Sequence, residues 1–324
     1  MAVTSRQALD AAYTVFKFLG TGGPNPEIYA DAADFLARSP AAAELHGGRM
    51  LELPVGRVHV VQRSASTAHA GIEPVIAVHG FSGNTVIWER NMDTFTGLAS
   101  TVAVDLLGRG LSERRDDYSY DKAMYVEQLR QTMDALGMRR ANLVGLSMGG
   151  AISIAFAAQN PDRVQSLTVV NSAGMPFDTP PGAGLITRPG VGEYLAPLVS
   201  TLMARQTWYS MLHDQASADA GFRRRFAAPW AIRGSQHALL GTLRRMDMHG
   251  AVPELEQIRA RRLPMLICWG LQDSLIDRST FEAMRALYPQ ARTLEIVGAG
   301  HVANFEGAAA FNAGWRDWLQ QIAA

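Results

Sequence analysis

One cysteine, Cys268, stands in the 324 residues. With no second thiol an internal disulfide is excluded, and stability must come from burial. A lone thiol without a recognisable signal-peptide pattern goes with a reducing compartment, so the expected location is cytoplasmic. An excess of one charge is lacking too. Thirty Lys and Arg balance 30 Asp and Glu, for a net charge of zero. That leaves no basic footprint, and no nucleic-acid partner is expected. Lysine itself is scarce: Lys17 and Lys122 are the two, against 28 arginines. This is not the Lys/Glu enrichment of hyperthermophiles, and it suits a GC-rich bacterial genome. Apolar runs long enough to cross a bilayer are missing. "LDAAYTVFKFLG" comes nearest, but Asp10 and Lys17 interrupt it, so it reads as an amphipathic helix, and membrane association is not expected. The eight histidines show no metal-ligand spacing, and neither metal nor cofactor is expected.

What is present is core-forming material. The chain is 48% hydrophobic, enough for one large α/β unit with an insertion. Residues 1–48 read as a helical extension broken at Gly20–Pro26. "RMLELPVGRVHVVQR" then reads as two strands turning at Pro54–Gly56. Beyond it, continuous Val/Ile/Leu runs alternate with helical patterns: "PVIAVHG", a helix around Trp88, "STVAVDLLG", the helix "DKAMYVEQLRQTMDALG", "NLVGLS" with its helix, and "VQSLTVVNSAG". Such runs mark strands buried on both faces, hence a mostly parallel sheet covered by helices. From 176 to 262 the pattern is Pro-rich and helical, with no clear strand, and reads as a helical lid. The sheet resumes with "LPMLICWG" and "RTLEIVG" and closes on a helix carrying Phe305, Phe311, Trp315 and Trp318. The expected division is an extension at 1–48, the core at 49–175 and 263–324, and the lid at 176–262.

The stretch "NLVGLSMGGAISIAF" carries the chemistry. Ser147 falls where an apolar strand gives way to a helix, with Gly145, Gly149 and Gly150 around it. A hydroxyl thrust from a sheet on a tight turn brings neighbouring backbone close, and glycine removes the colliding Cβ. The helix that starts there aims free N–H groups at the reacting centre. Serine needs a base, and the base needs orienting. "VGAGHVANFE" puts His301 after the last strand, and "ICWGLQDSLID" puts Asp273 after the one before it. Asp277 reads as a helix cap. The loop after "SLTVV" offers Asn171 and Ser172 but no acid, and Asp105 reads as a turn acid. For a developing oxyanion, the donors are the Met148 amide and, from "VHGFSGN", that of Phe81. His79 reads as the residue that holds this loop.

"HGFSG", "DLLGRGLS", "GLSMGG", "GLQDSLI" and "GAGHVANFE" together make the chain resemble the α/β-hydrolase superfamily from about residue 49 to its end. The resemblance implies an eight-stranded sheet with one antiparallel strand and a helical lid after the sixth. It also implies Ser147 as nucleophile, His301 as base, Asp273 as acid, and Phe81 and Met148 as oxyanion donors. Serine at the nucleophile position disfavours haloalkane dehalogenase and epoxide hydrolase chemistry. "HGFSGN" looks like esterases of the perhydrolase or haloperoxidase type and departs from the "HGGGPG" loop of C–C hydrolases.

The expected activity is carboxylic-ester hydrolysis through an acyl-enzyme, on a small hydrophobic ester. C–C bond hydrolysis or acyl transfer on the same triad is the alternative, and a non-catalytic ligand-binding protein is the third. In the insertion, Met175, Met203, Trp208, Tyr209, Met211, Phe222, Phe226 and Trp230 either line an acyl pocket or pack the helices together. The "RRR" at 223–225 reads as a solvated face rather than an anion site.

Overall fold

The structure, a computed structural model, describes residues 28–45, 47–66, 71–176, 184, 187–193 and 211–324. The expected N-terminal amphipathic helix and the lid residues Met203, Trp208 and Tyr209 lie outside them. Eight strands form one sheet: β1 (Arg49–Leu53), β2 (Gly56–Arg63), β3 (Val75–Val78), β4 (Thr101–Val104), β5 (Ala141–Leu146), β6 (Val164–Val170), β7 (Met265–Gly270) and β8 (Arg292–Ile296). Their order is β1-β2-β4-β3-β5-β6-β7-β8. Only β2 runs antiparallel to its neighbours, and every other pairing is parallel.

The central strands β3, β4, β5 and β7 are buried at every position because both faces are covered. Along β3, Val75 and Ala77 enter one core and Ile76 and Val78 the other, the period-2 alternation of a strand. One face is roofed by α1 (Lys122–Ala135), α2 (Met148–Gln159), and the helices Val252–Ala260 and Arg278–Leu287. Trp88, Phe95, Phe305, Phe311, Trp315 and Trp318 fill the other. Exposed residues fall on the edge strands β1 and β8 and towards both ends of β2.

The chain enters at β3, steps to β4 on one side, then crosses to β5 on the other. Where strand order reverses like this, the loops leaving neighbouring strands part and open a crevice at the carboxyl ends. The ends of β3 and β5 deliver His79–Phe81 and Ser147 to that crevice.

One detail differs from the sequence expectation. Phe305 belongs to a separate short helix, Ala303–Glu306, and not to the final helix Ala308–Ala323. Gly307 stands between them with φ −98 and ψ 35, where a Cβ would strike Ile296. The described part of the extension, residues 28–45, packs against the insertion. The Ile28 and Tyr29 amides both donate to the Ala231 carbonyl, at 2.8 and 3.1 Å, and Phe35 is wholly buried.

Between β6 and β7 the described residues are helical, with α3 (Ala220–Ala227), α4 (Ser235–Arg245) and Val252–Ala260. Phe222 stacks on Phe305 at 4.1 Å and lies 5.7 Å from Phe226, so these aromatics pack the segment onto the core. The three arginines of α3 are all engaged: Arg223 donates to the Ala218 and Gln215 carbonyls, Arg224 pairs with Glu44, and Arg225 with Glu89. Arg224 and Arg225 tie the segment to Glu44 and Glu89, while Arg223 holds carbonyls within the segment itself, and Arg224 remains exposed.

Candidate active site

Ser147 sits between β5 and α2 with φ 54 and ψ −120, a backbone conformation costing about 1–3 kcal/mol. Its N–H donates to the Val170 carbonyl at 2.9 Å, and its own carbonyl accepts from Gly150 and from Ala173. The glycines have the job the sequence suggested. A Cβ on Gly145 would strike the Gly149 carbonyl, and one on Gly149 the carbonyls of Val78 and His79. At Gly80 a Cβ would meet the Ser147 Cβ at 3.1 Å, so the β3 loop lies directly against the serine. Ser147 is partly exposed, whereas Met148 after it is fully buried.

His301 and Asp273 are brought together. The His301 Nδ1 lies 2.8 Å from Asp273 Oδ2, with side chains only 7% and 1% exposed. Asp273 Oδ1 accepts from the amides of Leu275 and Ile276 at 2.8 and 3.1 Å. Burial alone would raise the Asp273 pKa, but the His301 charge and hydrogen bond, with these amides, outweigh it, and the net shift is downward. An ionised Asp273 holds the proton of His301 on Nδ1 and leaves Nε2 free to act as a base.

Asn171 is the partner that sequence reasoning passed over. Its Nδ2 donates to Asp273 Oδ2 at 2.8 Å, and its Oδ1 accepts from the Gly270 amide at 3.1 Å. It holds φ 39, in the left-handed region that asparagine tolerates better than most residues. Since Val170 receives the Ser147 amide, the end of β6 ties the serine turn to the acid. The sequence signal is the β6 loop itself, which carries an amide at a strand end where an acid could stand.

The β3 loop is organised from within. His79 is completely buried; its Nδ1–H donates to the Gly80 carbonyl at 2.7 Å, and its Nε2 accepts from the Leu106 amide at 3.0 Å. Both contacts require the neutral ring, and burial pulls its pKa down to about 4 against the opposing pull of Asp105. The Gly80 carbonyl also receives the Gly83 amide at 3.1 Å. In a planar trans peptide the N–H points opposite to the C=O. Pinning the Gly80 oxygen therefore sets the direction of the Phe81 N–H. Among the described residues neither the Phe81 nor the Met148 amide has an acceptor.

Asp105 is a turn acid: it accepts from the amides of Thr85 and Leu111 and from His59, which lies 2.8 Å away. Asp277 caps its helix through the Ser279 amide. Among the described residues no cluster of three or more His, Cys, Asp or Glu side chains could hold a metal, and no helix is long and apolar enough to cross a membrane.

Residues 73–308 match the α/β hydrolase fold family. The chain is 28% identical to the 2-hydroxymuconate semialdehyde hydrolase of Pseudomonas sp. (strain CF600), covering 78% of this chain and 88% of that one. It is also 28% identical to Lipase 3 of Moraxella sp. (strain TA144), covering 71% and 72%. The crystal structure of a bacterial membrane phospholipase A superposes with a TM-score of 0.69 at 22% identity, over 97% of this chain and 96% of that one. The chain belongs to the α/β-hydrolase family, and hydrolase is the class these relatives share.

Proposed function

We propose that the protein is a serine hydrolase of carboxylic esters that works through an acyl-enzyme. Ser147 attacks the ester carbonyl while His301 Nε2 takes its proton. The amides of Phe81 and Met148 receive the oxyanion, and each such donor is worth about 3 kcal/mol of barrier. His301 returns the proton to the departing alcohol, then activates a water that releases the acid. Asp273 keeps the tautomer correct and stabilises the charged imidazole. The segment 176–262 serves as a cap over a small hydrophobic substrate, seated on a core formed by 49–175 and 263–324. Residues 28–45 of the extension brace that cap, and a cytoplasmic setting completes the reading.

The observation that carries this reading is the strained Ser147 turn with the β3 loop against it, the Met148 and Phe81 amides having no acceptor among the described residues. A serine in a bland glycine turn would need neither. The test is a panel of short and medium p-nitrophenyl esters, with fluorophosphonate labelling located by mass spectrometry. Label on Ser147, and a loss of kcat on the order of 10⁶-fold in Ser147→Ala, is expected. Equal rates in the two proteins would remove the serine from the mechanism.

The relative named as a semialdehyde hydrolase favours one second reading, hydrolysis of a C–C bond by the same groups. Turnover of a vinylogous diketone acid faster than of any ester would establish it. Phe81 in the oxyanion loop, where "HGGGPG" was the expected C–C pattern, favours the ester.

A further inference from the structure

Arg109 is the only arginine or lysine among the buried polar residues of the described chain, at 2% exposure. Among the described residues no carboxylate pairs with it. Its Nε–H donates to the Phe81 carbonyl at 2.6 Å, its Nη1 to the Gly108 carbonyl at 3.0 Å, and its Nη2 to the Thr242 hydroxyl at 3.1 Å. The guanidinium carbon stands 5.3 Å from the Phe81 ring centre and 5.9 Å from that of Trp230. Burial lowers its pKa, and only the hydroxyls of Tyr125 and Tyr120 oppose the shift. An unpaired buried charge is costly, and a structural strut could have been neutral.

We propose that Arg109 is a positioning residue for the oxyanion hole, joining the insertion to the Phe81 peptide and holding positive charge beside it. This rests on the ester-hydrolase reading above. The two peptides on either side of Phe81 are then gripped from opposite sequence directions: His79 holds the Gly80 oxygen and Arg109 the Phe81 oxygen. With both oxygens fixed, rotation about the Phe81 backbone is blocked and its N–H keeps one direction. The far end of the guanidinium rests on Thr242 and Trp230, so a displaced insertion would release the grip. Seating of α4 and readiness of the oxyanion hole are thereby one event. The charge lacks a carboxylate at rest and gains a counter-charge as the substrate oxygen turns anionic, which favours the transition state over bound ester.

The test compares wild type with Arg109→Lys, Arg109→Met and Thr242→Val, using a p-nitrophenyl ester and an alkyl boronic acid that mimics the tetrahedral intermediate. Arg109→Met should lower kcat at least 100-fold with KM within threefold, and weaken the boronic acid by a factor matching the loss in kcat/KM. Arg109→Lys keeps the charge but loses the planar fork, and should recover only part of the rate. Thr242→Val, which leaves the arginine in place, should lower kcat by a smaller factor in the same pattern. Losses in KM alone, or full activity of Arg109→Met with unchanged boronic-acid affinity, would overturn the assignment. If Arg109→Met does not fold, the other two variants decide by the same criterion. Wild-type protein that neither cleaves esters nor takes up the boronic acid would overturn the ester-hydrolase reading itself, and the assignment with it.

Discussion

His79 donates its Nδ1 proton to the carbonyl of its own neighbour, Gly80, across 2.7 Å, while the Leu106 amide occupies its other nitrogen. A ring satisfied at both nitrogens as donor and acceptor has no place for a second proton. The unfolded chain takes that proton near pH 6.5, whereas the folded one resists it down to about 4. Between those values the unfolded state binds more protons, so stability rises with pH across the window and falls as pH drops through it. The full effect is about 3 kcal/mol. Urea melts of wild type and His79→Gln at pH 7, 5.5 and 4 should show this component in wild type alone. His79→Gln should also lose kcat by roughly 100-fold, since the Phe81 amide loses its reference.

Asp273 and His301 form a pair whose direction is fixed by tautomer. Asp273→Asn presents an amide that can donate where an acceptor is needed, and the imidazole turns its lone pair the wrong way. Loss of kcat by roughly 10⁴-fold at pH 7 is expected, with folding retained. Fluorophosphonate labelling rates, followed against circular dichroism, separate the two effects.

Asn171 allows a sharper experiment because it can be made neutral or charged. Asn171→Ala removes one donor from the Asp273 carboxylate and should slow kcat by about tenfold, the worth of a hydrogen bond to a charged group. Asn171→Asp instead sets a second carboxylate against Oδ2 of Asp273, so that one of the two keeps a proton to higher pH. The acid limb of the kcat/KM profile should then move upward in Asn171→Asp and stay in place in Asn171→Ala.

The sheet was legible in the sequence because its strands are buried on both faces, leaving unbroken Val/Ile/Leu runs with glycine at the functional ends. The Ser147 turn and the His301–Asp273 contact were legible for the same reason: each of these residues follows such a run in a glycine-bearing loop. Asn171 was not, because its role comes from a contact 102 residues away that no local pattern encodes. Arg109 was hidden differently, since an arginine in a loop reads as solvated until the insertion is folded over it. The division between the Phe305 helix and the last one falls at Gly307, which a helical apolar pattern running through both does not mark.

Cys268 lies in the middle of β7 with no exposed surface, and burial pushes its thiol pKa well above the ordinary value. The thiolate is the reactive form, so the native protein should ignore Ellman's reagent and iodoacetamide. Activity should survive both, while 6 M guanidinium should expose one reactive thiol. Inactivation of native protein at a rate matching thiol modification would contradict this burial.

Gly145 and Gly298 make a contrast that isolates the serine turn. A methyl group on Gly145 would enter backbone atoms of Gly149 and Gly150, which cannot rotate aside as a side chain could. Gly298 has φ +77 but nothing within 4 Å of an added Cβ, so alanine there meets only the left-handed backbone penalty, about 1 kcal/mol. Gly145→Ala should therefore cost about 3 kcal/mol in urea denaturation, at the upper end for overpacking. The fraction that stays folded should also label slowly with fluorophosphonate, because relief of the collision moves Ser147. Gly298→Ala should label at the wild-type rate. Equal stability losses in the two variants would mean that the turn is not held by close packing at all.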